Sequence, residues 1–259
     1  MASDTIHVAA GAQPLLRELG IDAQSVFDHP KIIPWRTLPD RENCTLDAKL
    51  IDGRAIRWHV KRYAPARRKS AAALDEMRGH QLLIDERIAT APLVAWGAFG
   101  DGRSFVIFED LAGYAPADKL IARGTRFESL LRPTADLAAA LHRAGLHHRD
   151  LYLCHFMAKI SGDTIDLKLI DTARVRKLPG MLTRRRWIVK DLAQFWYSTL
   201  PLAITDEQRR AWLARYAEQR GLVSAVNLGP AIQRKAKQIG RHDVRLNRRQ
   251  PRRNISISS

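Results

Sequence analysis

The chain has 259 residues, 46% of them hydrophobic, and its 43 Lys and Arg against 27 Asp and Glu give a formal charge of +16 and a pI near 10.5. That length carries one large domain or two lobes; no apolar run reaches ~18 residues, which argues against a membrane span, and MASDTIHVAAGAQPLLRELG lacks the apolar stretch of a signal peptide. Two cysteines, Cys44 and Cys154, make no disulfide framework, so a reducing cytoplasm is expected, while the charge points to anionic partners: nucleic acid, acidic lipid or phosphorylated glycan.

The first thirty residues read as a preceding segment with a helix through QPLLRELG. CTLDAKLIDGRAIRWHVKRY follows as a hairpin, its runs Cys44 to Ile51 and Arg54 to Tyr63 flanking a tight turn at Asp52-Gly53. In the second run Ile56, Trp58 and Val60 alternate with Arg57, His59 and Lys61, so Lys61 lies on the polar face. ARRKSAAALDEMRGHQLLIDERI reads as a helix, and PLVAWGAF and SFVIFED as strands joined at Gly100-Asp101-Gly102. RPTADLAAALHRAG predicts a helix with Thr134 as N-cap and Gly145 as its stop. TIDLKLIDTARV predicts a strand ending at Asp171, and two further helices cover VKDLAQFWYSTL and TDEQRRAWLARYAEQRG, the second opening with a capping box of Thr205 and Gln208.

Between the Thr134 helix and the Asp171 strand lies HHRDLYLCHF, His147 to Phe156, where titratable groups are interleaved with large apolar ones. This reads as a loop anchored by its apolar residues, with polar residues directed into a site. Four charged positions then follow in order: Lys61 in a strand, Glu76 on the next helix, Asp150 in the pinned loop and Asp171 at a strand end. That order fits phosphoryl transfer, with a lysine on nucleotide phosphates, a glutamate orienting it, one aspartate at the acceptor hydroxyl and one on magnesium. The rival readings are an exposed strand lysine, a Glu76 paired with His80 along its own helix, and aspartates that merely serve turns and strand ends.

HRD at His148-Arg149-Asp150, WHVKRY around Lys61 and LID ending at Asp171 resemble the catalytic loop, lysine strand and metal-binding motifs of the protein-kinase-like superfamily. LHRAGLHHRDLYLCHF, LIDTARVR and RRRWIVKDLAQFWYS are similar, more narrowly, to the lipopolysaccharide kinase family, which phosphorylates heptose or Kdo sugars of the inner core. The resemblance implies an α+β, two-lobed protein-kinase-like fold with a small β-rich N-lobe and a larger helical C-lobe. The boundaries expected are an N-terminal extension over 1–30, an N-lobe over 31–110, a C-lobe over 111–240 and a basic, flexible tail over 241–259. ATP and magnesium are the implied cofactors. Asp150 and Arg149 are assigned to catalysis, Arg149 bracing the segment that follows; Lys61, Glu76 and His155 to nucleotide binding; Asp171 to the metal. Adenine is expected against the connector from Glu109 to Leu111.

His155 stands where protein kinases carry a metal-binding Asn; imidazole suits magnesium poorly, so a hydrogen bond to the loop or to a phosphate is expected instead. LPDRENCTL occupies the place of a Gly-rich loop, leaving backbone amides or Arg41 to cover the phosphates. Asp191 resembles the buried aspartate that braces a catalytic loop from beneath. His148 reads as a packed structural histidine, Cys154 as a small core residue and His147 as exposed. The implied partner is a lipopolysaccharide core or related anionic glycolipid, with peripheral contact to an anionic inner membrane through the basic C-terminal stretch. The alternatives are a kinase for a small molecule or protein, and a nucleic-acid-binding or scaffolding pseudokinase.

Overall fold

The computed structural model describes residues 4–65, 72–222 and 228–249. They form two compact units: the described parts of Met1–Arg78 with Ala91–Ala112, and of Gly79–Thr90 with Gly113–Asn254. The first is sheet-rich and the second largely helical, the α+β composition expected.

In the first unit, strands β1 (Thr5–Val8), β2 (Ile32–Leu38), β3 (Arg41–Lys49), β4 (Ala55–Tyr63), β5 (Leu93–Ala98) and β6 (Ser104–Glu109) pair antiparallel in the order β1-β5-β6-β4-β3-β2. The β3–β4 hairpin closes between Leu50 and Arg54. Its loop holds three residues rather than the two expected, with Gly53 at φ +86 in the left-handed region that a side chain disfavours. Helix α1 (Ala12–Glu18) buries Leu16 in the same core as Leu46, Trp58, Val60, Val94 and Ile107. Residues 4–30 are therefore built into this unit: β1 pairs with β5, and Leu16, Leu19, Ile21 and Val26 supply core. Helix α2 (Ala72–Asp85) follows; residues 66–71, where the helix was expected to begin, lie outside the described residues.

The second unit adds the short strand β7 (Ala115–Pro116), helices α3 (Ala117–Ala122) and α4 (Phe127–Arg143), strand β8 (Leu146–His147), the hairpin β9 (Phe156–Ser161) and β10 (Thr164–Leu169), strand β11 (Arg176–Lys177), and helices α5 (Met181–Thr199), α6 (Asp206–Gln219) and α7 (Gly229–Arg249). Helix α4 starts seven residues before Thr134, because Phe127 and Leu130 are already buried. Thr134 is thus no N-cap. Its hydroxyl donates to the Leu130 carbonyl at 2.7 Å and accepts from Trp212 Nε1 at 2.9 Å, tying α4 to α6. The capping box on α6 forms as expected: Gln208 N donates to Thr205 Oγ1 and Thr205 N to Gln208 Oε1. Phe195 of α5 stacks on Trp212 of α6 with centroids 3.9 Å apart, and Phe156 of β9 meets Phe195 edge-on.

The expected flexible tail is helical as far as Arg249; residues 250–259 lie outside the described residues. Ile232 and Ala236 of α7 are buried, and Asp243 accepts a hydrogen bond from Tyr197 of α5. That anchored face is what the charge count alone concealed.

One close approach constrains the segment after Asp171. A Cβ at Gly79, on α2, would lie 1.8 Å from the Thr172 carbonyl oxygen and 3.2 Å from Val175 Cβ. Gly79→Ala should force this backbone apart at about 1–3 kcal/mol, the usual cost of overpacking. The expected readout is a fall in Tm of roughly 2–4 °C per kcal/mol, and an unchanged Tm would contradict the contact.

Candidate active site

In the sheet-rich unit Lys61 lies on β4, between β3 and β6, opposite Asn43 and Val106. Its ammonium donates to Glu76 Oε1 at 2.6 Å, and the Tyr63 hydroxyl donates to Glu76 Oε2 at 2.7 Å. Glu76 is 1% exposed, so its charge is held inside by two donors from one strand face. Burial, and then the Glu76 charge, push the Tyr63 phenol well above its ordinary pKa, so it remains a donor. Arg41 faces Tyr63 and Asn43 faces Lys61 in the antiparallel register, which sets all four on one side of the β3–β4 pair. Arg41 Nε and Asn43 Oδ1 are buried without a hydrogen-bond partner among the described residues. Asn43 and Tyr63 escaped the sequence reading, although both lie within two positions of residues it had singled out, or directly across from them.

At the end of β6 the connector amides of Glu109 and Asp110 are already occupied, by the carbonyls of Pro92 and Arg57. Asp110 also meets His59 Nε2 at 2.7 Å, and the Leu111 side chain is buried.

In the helical unit the loop from His148 to His155 is fixed by one face of α5. Asp191 Oδ2 accepts from the His148 amide at 2.6 Å and Oδ1 from the Arg149 amide at 2.8 Å. Gln194 Oε1 accepts from the Leu151 amide at 3.2 Å, and Ser198 Oγ from the Leu153 amide at 2.9 Å. Asp191, Gln194 and Ser198 recur at three and four residues, the spacing of one helix face. Leu151, Leu153 and Phe156 are fully buried, which completes the anchoring. Arg149 takes φ +69, unusual for a residue with a side chain, and the Asp191 bond to its amide helps hold it there. Asp191 itself is fully buried; burial works to raise its pKa, but His142 and the loop amides outweigh that and lower it, so it stays a carboxylate. Its His142 partner, at 3.3 Å, is held in turn by the Tyr216 hydroxyl.

This scaffold leaves the Asp150 carboxylate 19% exposed. Arg174 Nη1 lies 3.0 Å from each Asp150 oxygen, and Gln194 Nε2 lies 3.2 Å from Oδ1. Asp171 sits at φ +64, two residues beyond β10, with its carboxylate 39% exposed. His155 lies between the two aspartates: Nδ1 donates to the Asp150 carbonyl at 2.6 Å, and Nε2 is 3.6 Å from Asp171 Oδ2. Burial alone would lower the His155 pKa; the Cys154 side chain, the Asp171 charge and the Asp150 carbonyl reverse this and raise it to about 9. The His155 Nδ1 is already committed to the Asp150 carbonyl, and an imidazole nitrogen suits a hard ion such as magnesium poorly. Asp171, a hard and accessible oxygen donor, is the group here that suits magnesium, which commonly takes one or two protein carboxylates and completes its shell with phosphates and water. No cluster of three or more metal-ligating side chains occurs among the described residues.

His148 is packed as expected, its Nε2 bonded to the Ile170 carbonyl at 3.0 Å. His147 departs from expectation: it is 3% exposed, its ring 4.8 Å from that of Trp187. The alternation of the loop puts it inward, against the first turns of α5. Gln194, Ser198, His142 and Arg174 escaped the sequence reading; a helix-face count from Asp191 would have found the first two.

A family model described as "Lipopolysaccharide kinase (Kdo/WaaP) family" matches residues 55–216. Over 181 residues the chain is 28% identical to a "Lipopolysaccharide core heptose(I) kinase WaaP" of Pseudomonas aeruginosa, covering 63% of this chain and 66% of that protein. Over 187 residues it is 30% identical to a protein of the same name from Escherichia coli, covering 61% and 66%. The chain thus spans just under two thirds of the length of these curated relatives.

Burial gives the site a pH signature. It depresses the His147 pKa from 6.5 to about 4. Between those values the unfolded chain binds a proton that the native ring does not, so stability is complete above pH 6.5 and falls as pH drops toward 4. For this residue the loss approaches about 3 kcal/mol, at 1.36 kcal/mol per unit. Tm measured from pH 7 to pH 4 should fall less steeply in His147→Gln than in the native chain; parallel curves would contradict the buried neutral histidine.

Proposed function

The chain belongs to the lipopolysaccharide kinase (Kdo/WaaP) family, and on that premise we propose that it transfers the γ-phosphoryl group of ATP to a sugar hydroxyl of a lipopolysaccharide inner-core-like glycolipid. The observation that carries this reading is the anchored loop. Its amides are taken up by α5, its apolar side chains are buried, and the carboxylate of Asp150 is presented on a backbone that cannot drift. Such rigidity suits a group that must meet a hydroxyl within hydrogen-bond distance. A binding scaffold has no need of it.

In this reading Asp150 orients the acceptor hydroxyl and takes its proton. Lys61, held by Glu76, contacts the nucleotide phosphates. Arg41 and Asn43 stand in for a Gly-rich loop, because they share the Lys61 face and each carries a buried polar atom awaiting a partner. Adenine lies along the connector from Glu109 to Leu111. Asp171 would hold magnesium, which when bound offsets the charge of the phosphate oxygens. His155 braces the two aspartates and does not ligate. Arg149 supports the loop, its guanidinium lying over Trp187 with the carbon 4.7 Å from the ring centroid.

The acceptor class draws support from the names of the relatives and from charge. Arg234, Lys237, Arg241, Arg245 and Arg248 are exposed at three- and four-residue steps, forming one basic stripe on α7 opposite its buried face. No helix among the described residues is long and apolar enough to cross a membrane. The stripe would hold the enzyme against an anionic bilayer where a glycolipid acceptor resides.

Asp150→Ala should abolish transfer to a lipopolysaccharide inner-core acceptor while ATP binding persists, and Asp171→Asn should raise the magnesium concentration needed for half-maximal rate. Native turnover in the first variant, or an unshifted magnesium titration in the second, would overturn the respective assignment.

Replacing Arg241, Arg245 and Arg248 together by Glu should weaken binding to phosphatidylserine vesicles, each basic residue contributing about 1 kcal/mol near such a surface. The native binding should fade with salt. Equal sedimentation of both proteins with vesicles at low salt would remove the membrane role.

A further inference from the structure

The helical unit gathers more positive charge around Asp150 than its carboxylates answer. Lys190 lies on α5, one turn before Gln194, half-buried, with its ammonium 5.5 Å from the centroid of the Trp187 ring. Among the described residues it makes no salt bridge. Arg149 covers the same ring at 4.7 Å, and its Nε is buried without a hydrogen-bond partner. Arg174 joins them through its hold on Asp150.

Two carboxylates are at hand. Asp191 is enclosed by loop amides and His142, and Asp150 is shared between Arg174 and Gln194. Three cations therefore answer to one accessible anion. The strain of that arrangement registers on them: burial first, and then the charge of Arg174, lower the pKa values of both Lys190 and Arg149. Arg184 and Arg185, earlier on the same helix, are exposed to water, and Arg186, also exposed, reaches the Trp187 ring only at 6.0 Å. Lys190 and Arg149, half-buried and without a salt bridge among the described residues, the second with an orphaned donor, are costly unless an anion joins them.

We propose that Lys190, Arg149 and Arg174 form a subsite for a second anionic group, a carboxylate or a phosphate, carried by the acceptor beside the hydroxyl that Asp150 engages. The proposal rests on the phosphotransferase reading above and deepens it. Guanidinium groups bind either anion through paired N–H donors, and the ammonium adds a point charge. Arg174 has two destinations. Without acceptor it covers Asp150; with the acceptor's anion beside it, it turns to that anion and frees a carboxylate oxygen for the hydroxyl. An acceptor lacking the second charge leaves Asp150 covered.

The test uses the full chain with deacylated inner-core oligosaccharide, intact, carboxyl-reduced or dephosphorylated. Lys190→Met, which keeps an apolar stem over Trp187, should raise KM for the intact acceptor roughly ten- to hundredfold, the range of a lost hydrogen bond to a charged group. KM for ATP should not move, and Lys190→Arg should restore most of the loss. On whichever treated acceptor has lost the recognised anion, native and Lys190→Met proteins should have equal kcat/KM, which tells carboxylate from phosphate. An unchanged acceptor KM, a raised ATP KM, or the same loss on all three acceptors would overturn the subsite. Sulfate titration, followed by the NMR signal of the Trp187 indole N–H, is independent of turnover. The signal should shift in the native protein and barely in Lys190→Met; no shift in the native protein overturns the subsite. A native protein that shows the shift yet phosphorylates no acceptor form would instead overturn the phosphotransferase reading.

Discussion

The bonds from the Asp191 carboxylate to the amides of His148 and Arg149 are the constraint on which the candidate site depends. A buried carboxylate is costly unless its oxygens are filled, and here the filling donors are the backbone of the loop it supports. Charge burial and loop geometry therefore stabilise each other. The same bonds hold Arg149 at a positive φ, which sets the direction of the next residue, Asp150. Gln194 and Ser198 extend the ladder along the helix, so the loop takes its shape from α5 more than from its own turns.

The sheet-rich unit uses the same logic in smaller form. Glu76 is buried and filled by Lys61 and Tyr63 from one strand face, so a long flexible lysine is fixed in one rotamer. In both units a buried acid, present as a single residue in the sequence, positions a group that remains partly accessible. The two acids differ in what they hold: Asp191 holds backbone, whereas Glu76 holds side chains. The first arrangement fixes the course of a loop, and the second fixes the end of a flexible side chain.

Much of this was legible in the sequence. The alternation around Lys61 marked its strand, and the pairing of apolar anchors with titratable groups in HHRDLYLCHF marked a pinned loop. Strand and helix periods report which face of an element is buried, and that is what these segments display. Four things were hidden for physical reasons. Thr134 follows a proline and looks like a helix start, but burial of Phe127 and Leu130 pulls the helix further back. The charge of the C-terminal stretch masked Ile232, Ala236 and Asp243, whose spacing anchors α7. Arg174 and His142 act through partners distant in sequence, and no local pattern encodes such contacts. His147 looked like a surface residue because nothing in the motif required it; its burial follows from packing against Trp187 of α5.

Amide hydrogen exchange on the native chain tests the central claim most directly. If α5 holds the loop as the hydrogen bonds indicate, the amides of His148, Arg149, Leu151 and Leu153 exchange as slowly as the interior of α5 itself. Asp191→Asn should then speed exchange at His148 and Arg149 more than along the helix. Fast exchange at these four amides in the native protein, comparable to that of the exposed turn at Gly162, would contradict the account.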